Sequence, residues 1–248
     1  MAIESLSPAA CTTIEEVGST GVGALTIVFL VLAVSTIVFI ARSSSAKETK
    51  QYYFCSIYIC AFSTLAYFAM LSGQGWTAVA GCRQFFYVRY VDYAITLPLI
   101  ILQLGLIAGA ETSIIAATIG AEILYVATFY FASVSVVTTV KWFWFVIGAI
   151  ALVCVLVSIS KNMRESAVTR GGDVASLYGQ LATIVTVAFI FYPMVWLFSE
   201  GFASFSVSFE VCGYAILDTV AKVIFCFIVM SGNDVLATAP NSTDKEYV

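Results

Sequence analysis

Long runs of mostly apolar residues, set apart by short polar stretches, make up most of this chain. They lie near 22–42, 52–72, 84–109, 113–135, 142–160, 176–198 and 209–231. Each is close to the roughly 20 apolar residues that a helix needs to cross a bilayer. Seven such runs in 248 residues predict an all-α fold: a bundle of seven transmembrane helices forming one domain over 1–248. The connections are short, so sequential helices are expected to pack as antiparallel neighbours. No internal repeat, soluble domain or low-complexity segment breaks the pattern. The first 20 residues lack a basic stretch followed by an apolar core and read as a short polar tail, not a signal peptide.

Basic residues orient the bundle, because Lys and Arg favour the cytoplasmic side. Arg42, Lys47 and Lys50 lie between the first and second runs, and Lys161, Arg164 and Arg170 between the fifth and sixth. Opposite them stand only Arg83 and Lys141. The amino terminus is therefore expected outside, and the tail from Asn233 in the cytoplasm. In that topology the glycosylation-type triplet Asn241-Ser242-Thr243 faces the wrong compartment and is a chance match.

Composition supports membrane embedding in a lipid bilayer. The chain is 61% hydrophobic and 10% charged, against about 25% charged for a soluble domain. A net charge of −4 with scattered basic residues argues against a nucleic-acid partner. With no histidine, the usual zinc ligands and imidazole relays are missing, and no metal site is expected. Proton chemistry would rest on carboxylates, tyrosines, lysine and water. Of seven cysteines, none forms a CxxC pair. Most lie in apolar runs, as small hydrophobes do. Cys11 and Cys82 share the outer side in this topology, which leaves a disulfide between them open.

Charged groups at membrane depth are costly, so they mark function by default. Arg89, Asp92, Glu122, Asp218 and Lys222 lie well inside the runs, and Glu200 and Glu210 near outer helix ends. Lys222 is near the middle of the seventh run, too deep to reach either surface. Two readings stand side by side. It is either a structural partner of Asp218, one helical turn earlier, or an amine condensed with an aldehyde as a Schiff base. Asp218 and Asp92 are the available counter-charges. In the third run Arg89, Asp92, Thr96 and Gln103 recur at spacings of three, four and seven, which places them on one stripe. By helix rise Gln103 lies roughly 16 Å from Asp92 toward the cytoplasm.

These residues resemble the microbial (type 1) rhodopsins, most closely the bacteriorhodopsin and fungal branches. The likeness covers essentially the whole chain. It is carried by Arg89-Tyr-Val-Asp92-Tyr-Ala-Ile-Thr96-Leu-Pro98-Leu, by Tyr192-Pro193-Met-Val-Trp196 and by Leu217-Asp218-Thr-Val-Ala-Lys222. The resemblance implies all-trans retinal bound covalently to Lys222 as a protonated Schiff base. It implies Asp92 as primary counterion and proton acceptor, Asp218 as second counterion, and Arg89 as organiser of water on the exit side. Glu200, in Ser199-Glu200-Gly201, and Glu210 match the acids associated with extracellular proton release. Tyr67, Tyr93, Thr96, Trp144, Phe145, Phe189, Tyr192 and Trp196 match positions lining the chromophore cavity.

Departures from the family pattern bear on function. Gln103 stands where proton pumps carry a carboxylic donor, and an amide has no proton to give. Tyr93 and Phe189 replace tryptophans, Phe145 replaces another aromatic, and Glu122 takes a ring-end position that is often aspartate. The intact outer half, with Arg89, Asp92, Asp218, Glu200 and Glu210, favours a transporter: an outward light-driven proton pump, slow to reprotonate. Gln103 favours the alternative, a sensory photoreceptor whose long-lived state signals to a separate partner. A light-gated channel fits less well with Arg89 and paired counterions, and a non-retinal receptor would need a structural Lys222. None of these is an enzyme. Family likeness further implies a homo-oligomer, a trimer, in the plasma membrane.

Overall fold

A computed structural model describes residues 11–46 and 48–239. Lys47 and the Asn241–Thr243 triplet lie outside the described residues. Seven helices are long and apolar enough to cross a membrane. They are α1 (Ser19–Ser43), α2 (Lys50–Leu71), α3 (Tyr87–Ala108), α4 (Thr112–Val134), α5 (Thr138–Arg170), α6 (Gly172–Gly201) and α7 (Val207–Ser231). A short helix α8 (Asn233–Thr238) follows. Sequential helices pack on one another, and α1 returns against α7 to close the ring.

The bundle is inverted relative to a water-soluble one. Large apolar side chains such as Ile27, Ile37, Leu65, Phe143 and Ile216 point outward and are exposed, while Arg89, Asp92, Gln103, Glu122, Glu210, Asp218 and Lys222 are buried. Each helix satisfies its backbone groups internally, as lipid requires, and this distribution suits hydrocarbon outside and a polar axis inside. Two glycines allow close helix contact. A Cβ on Gly105 would come within 2.5 Å of Ile115, and one on Gly148 within 2.6 Å of Thr128 and Phe129. These positions tie α3 to α4 and α4 to α5.

Three departures from the sequence expectation matter. First, Lys161, Arg164 and Arg170 are not in a loop: α5 stays helical through Arg170, and the chain turns at Gly171, with φ +138°. Ile159, Met163 and Ala167, four residues apart, are fully buried on this extension, so it is held by an amphipathic face beyond membrane depth. Arg170 donates from Nη1 to the carbonyls of Leu106 and Ile107 at 2.9 and 2.8 Å, satisfying the end of α3.

Second, α3 begins at Tyr87 because the preceding residues form a hairpin. Strand β1 (Thr77–Val79) pairs antiparallel with β2 (Arg83–Phe85), with Val79 opposite Arg83. Glu15 adds a parallel bridge to Arg83. A disulfide joins Cys11 to Cys82. The hairpin and amino-terminal segment together cover one end of the bundle.

Third, π-helical turns interrupt α5 at Ser158–Met163, α6 at Leu197–Gly201 and α7 at Thr219–Ile224. The last two contain Glu200 and Lys222. Such turns re-aim side chains by inserting an extra residue, and they recur at functional sites.

Candidate functional site

Lys222 is wholly buried in the centre of the bundle. Its Nζ stands 2.5 Å from Asp92 Oδ2 on α3 and 3.3 Å from Asp218 Oδ1, one turn earlier on α7. It also donates to Ser63 Oγ on α2 at 2.9 Å, and Ser63 in turn donates to Asp92 Oδ1 at 2.9 Å. The sequence reading did not single out Ser63. Its signal was weak: Ser56, Ser63 and Tyr67 lie at spacings of seven and four on one face of α2, and all three are buried.

The two carboxylates are held differently. Asp218 accepts hydroxyl hydrogen bonds from Tyr67 at 2.7 Å and Tyr192 at 2.8 Å, with Tyr93 at 3.4 Å. Among the described residues Asp92 accepts side-chain bonds from Lys222 and Ser63 only, while Thr96 Oγ1 turns to the Asp92 backbone carbonyl. A buried ion pair is tolerated when the remaining lone pairs are satisfied. Asp218 meets that condition, with three tyrosine hydroxyls beside Lys222. Asp92 has Ser63 as its one neutral side-chain donor among the described residues.

Toward the α8 end, Gln103 is fully buried. Its Nε2 donates to the Tyr52 carbonyl at 3.0 Å and to Ser56 Oγ at 2.9 Å, leaving Oε1 without a partner. At the hairpin end, Arg89 Nη1 meets Glu210 Oε1 at 2.8 Å, and the Arg89 guanidinium lies 4.0 Å from the Tyr214 ring centre. Arg83 Nη2 meets Glu210 Oε2 at 2.9 Å. Glu200 sits apart, accepting from Ser199 and facing the hydroxyls of Tyr90 at 3.4 Å and Tyr214 at 3.5 Å. Arg83 and Tyr90 were absent from the sequence-derived set.

Tyr90, Tyr93, Tyr125, Val126, Phe129, Tyr192, Trp196 and Tyr214 line a small cavity of about 20 Å³. Tyr93 and Tyr192 are walls common to this cavity and the charge cluster, with Lys222 Nζ 4.8 Å from the Tyr93 ring centre. Phe145 stacks on Trp196, ring centres 5.2 Å apart, and Phe189 lies beside Tyr192. Trp144, expected at this cavity, instead packs on Phe131 and Phe143, which face outward. Two residues earlier on the helix, Trp142 takes the inner place against Trp196 and Phe145. Glu122 is fully buried, and neither of its carboxyl oxygens has a hydrogen-bond partner.

The family model for bacteriorhodopsin-like proteins matches residues 21–236. The chain belongs to this family of microbial rhodopsins. It is 31% identical to bacteriorhodopsin from Haloterrigena sp. over 219 residues, covering 86% of this chain and 88% of that one. It is 28% identical to Opsin-1 of Neurospora crassa over 235 residues, covering 87% and 77%. The crystal structure of a light-driven proton pump from Leptosphaeria maculans superposes with a TM-score of 0.83 at 30% identity, covering 89% of this chain and 99% of that one. The rhodopsin is therefore an integral, multi-pass membrane protein.

Retinal, held covalently through a Schiff base, is the cofactor of this family. The residues present fit that group. One buried primary amine, flanked by two carboxylates, adjoins a cavity walled almost entirely by aromatic rings. Lys222 Nζ is the buried primary amine that such a linkage would use.

Proposed function

We propose that this rhodopsin is an outward light-driven proton pump with retinal bound to Lys222. The observation that carries the reading is the placement of buried Lys222 Nζ between Asp92 Oδ2 and Asp218 Oδ1. Bound retinal would supply light absorption and a change of shape that weakens the hold of the lysine nitrogen on its proton. Asp92 Oδ2 is the nearest acceptor. Asp218, held in place by three tyrosine hydroxyls, is the second counterion. Tyr93, Phe145, Phe189, Tyr192 and Trp196, with Tyr67 and Thr96 alongside, orient the polyene and exclude water, while Glu122 faces its ring end.

Once Asp92 is neutral, Arg89 loses an attraction on its inner side and is drawn more fully to the acids Glu200 and Glu210, favouring release at the hairpin end. That end lies outside the cell in the orientation set by Arg42, Lys50, Lys161, Arg164 and Arg170 at the other end. Reprotonation must come past Gln103. Its Nε2 is engaged by Tyr52 and Ser56 and carries no acidic proton. Water or a distant group must serve, which makes the step slow. The similar Leptosphaeria maculans protein, itself a light-driven proton pump, supports proton transport as the activity. The whole chain acts as one domain, assembled as a trimer in the plasma membrane.

Gln103 also favours a second reading. A sensory photoreceptor gains from a slow cycle and needs no internal donor, and it would signal through a separate partner. Light-induced pH change in unbuffered cells separates the two. Acidification of the medium that an uncoupler abolishes supports the pump; a photocycle without any pH change supports the sensor.

A further inference from the structure

We propose that the two exit-side acids do not act as a pair in this chain: Arg83 fixes Glu210 as a permanent carboxylate, and Glu200 alone keeps a proton that can be released. The assignment of proton release to this region rests on the pump reading, whereas the division of roles rests on the geometry of the resting protein.

Both Glu210 oxygens are occupied by guanidinium groups, Oε1 by Arg89 at 2.8 Å and Oε2 by Arg83 at 2.9 Å. The carboxylate side chain is 1% exposed, and the Arg83 and Arg89 side chains are 7% and 2% exposed. Protonating Glu210 would leave two buried cations facing each other across a neutral group, the arrangement that low-dielectric surroundings penalise most. Arg83 reaches outward through Nη1 to Glu15, at 3.2 Å and 48% exposed. The four groups thus form an alternating line of charge from the surface inward: Glu15, Arg83, Glu210, Arg89.

Glu200 has the opposite environment. Its carboxyl group accepts from the hydroxyls of Ser199, Tyr90 and Tyr214, all neutral. The nearby cations are committed elsewhere. Lys141 Nζ binds the Glu200 backbone carbonyl at 2.8 Å, and Arg89 is taken by Glu210 and the Tyr214 ring. Of the charged groups that face it, Glu210 repels a second negative charge, and Arg89 attracts one without forming an ion pair with the Glu200 carboxyl oxygens. Burial without a direct ion pair disfavours the charged form of a carboxyl group, and no ion pair reaches the Glu200 carboxyl oxygens among the described residues.

Arg83 is a positioning residue, placed by the fold. Register in the hairpin sets it opposite Val79, Glu15 bridges to it, and the adjacent Cys82 is tied to Cys11. Without it Glu210 would have one guanidinium partner, and the two acids could share a proton.

Infrared spectroscopy of the full-length protein in lipid, in the dark at neutral pH, tests the division. In the region of the protonated carboxyl C=O stretch, Glu200→Gln is expected to lose a band that Glu210→Gln retains, with any Glu122 contribution common to both. Arg83→Gln is expected to gain a band that disappears in the Arg83→Gln/Glu210→Gln double variant. A band lost equally in both single acid variants, or lost only in Glu210→Gln, would overturn the proposal, as would an unchanged spectrum in Arg83→Gln. Should Arg83→Gln not assemble, the two acid variants in the native background decide by themselves. Failure of light-driven acidification with these bands as expected would count against the pump and not against the division of roles.

Discussion

Ser63 Oγ stands 2.9 Å from Lys222 Nζ and 2.9 Å from Asp92 Oδ1, so one hydroxyl on α2 bridges the buried amine and its nearest carboxylate. It is the sole neutral side-chain donor to the Asp92 carboxylate among the described residues, whereas Asp218 has three tyrosines. Removing it weakens the charged form of Asp92, so Asp92 should protonate at a higher pH. A hydrogen bond to a charged group is worth about 1.5–3 kcal/mol, which corresponds to roughly one to two pH units. In retinal-loaded protein, Ser63→Ala is expected to move the acid-induced colour change up by about one unit or more. Ser63→Thr, which keeps the hydroxyl, should restore it. Spectra recorded across a pH titration check this, and an unmoved midpoint in Ser63→Ala would count against a positioning role.

Gln103 defines the second expectation. If its amide is what slows reprotonation, Gln103→Asp should speed recovery of the resting absorption at least tenfold. Added azide should accelerate the native protein strongly and Gln103→Asp little. Flash photolysis reads both. Equal recovery rates in the two proteins would place the slow step elsewhere.

Glu122 offers a test of stability. Both its oxygens are buried without partners, and an unpaired buried polar group is costly while an apolar replacement of similar shape is not. Glu122→Met should therefore unfold at the same temperature as the native protein or a few degrees higher, measured by thermal bleaching in detergent. A large drop would reveal a partner for this carboxyl group in the retinal-loaded protein.

The disulfide closes a loop across 71 positions and ties the amino-terminal segment to the hairpin. Its loss by Cys82→Ser should lower the bleaching temperature by on the order of 5–10 °C, with little change in colour because Lys222 and its carboxylates are elsewhere. A membrane-impermeant reductant applied to intact cells should reproduce the effect if the hairpin end faces outward. No effect from outside, with an effect in opened membranes, would reverse the orientation.

Hydropathy made the seven spans legible because a bilayer imposes one rule along a whole helix. The same rule hid what lies beyond its thickness. Lys161, Arg164 and Arg170 read as loop, although Ile159, Met163 and Ala167 carry a helical period that packs the extension. Phe85 and Phe86 extend the apolar run of the third span back to about 84, yet Arg83–Phe85 pairs as a strand and α3 begins at Tyr87. Lys222, Asp92, Asp218 and Arg89 stood out since charge at membrane depth is rare. Ser63 did not, because hydroxyls in such helices commonly bond back to the preceding turn, as Ser35 and Thr36 do here. Only the meeting of α2 with α7 gives it another role. Arg83 lay in a short connection whose register brings it to Glu210, a contact 127 residues apart. Trp142 and Trp144 have the same chemistry, and only packing decides which ring turns inward. The π-helical turns at Glu200 and Lys222 have no sequence period to reveal them.

The most direct test of the central claim is the visible spectrum of the protein expressed with all-trans retinal, native against Lys222→Ala. The account predicts a visible band in the native protein that is absent in Lys222→Ala, with both proteins present in the membrane in comparable amounts. A native protein without such a band, or a band that survives in Lys222→Ala, would contradict it and leave Lys222 as a structural ion-pair partner of Asp92 and Asp218.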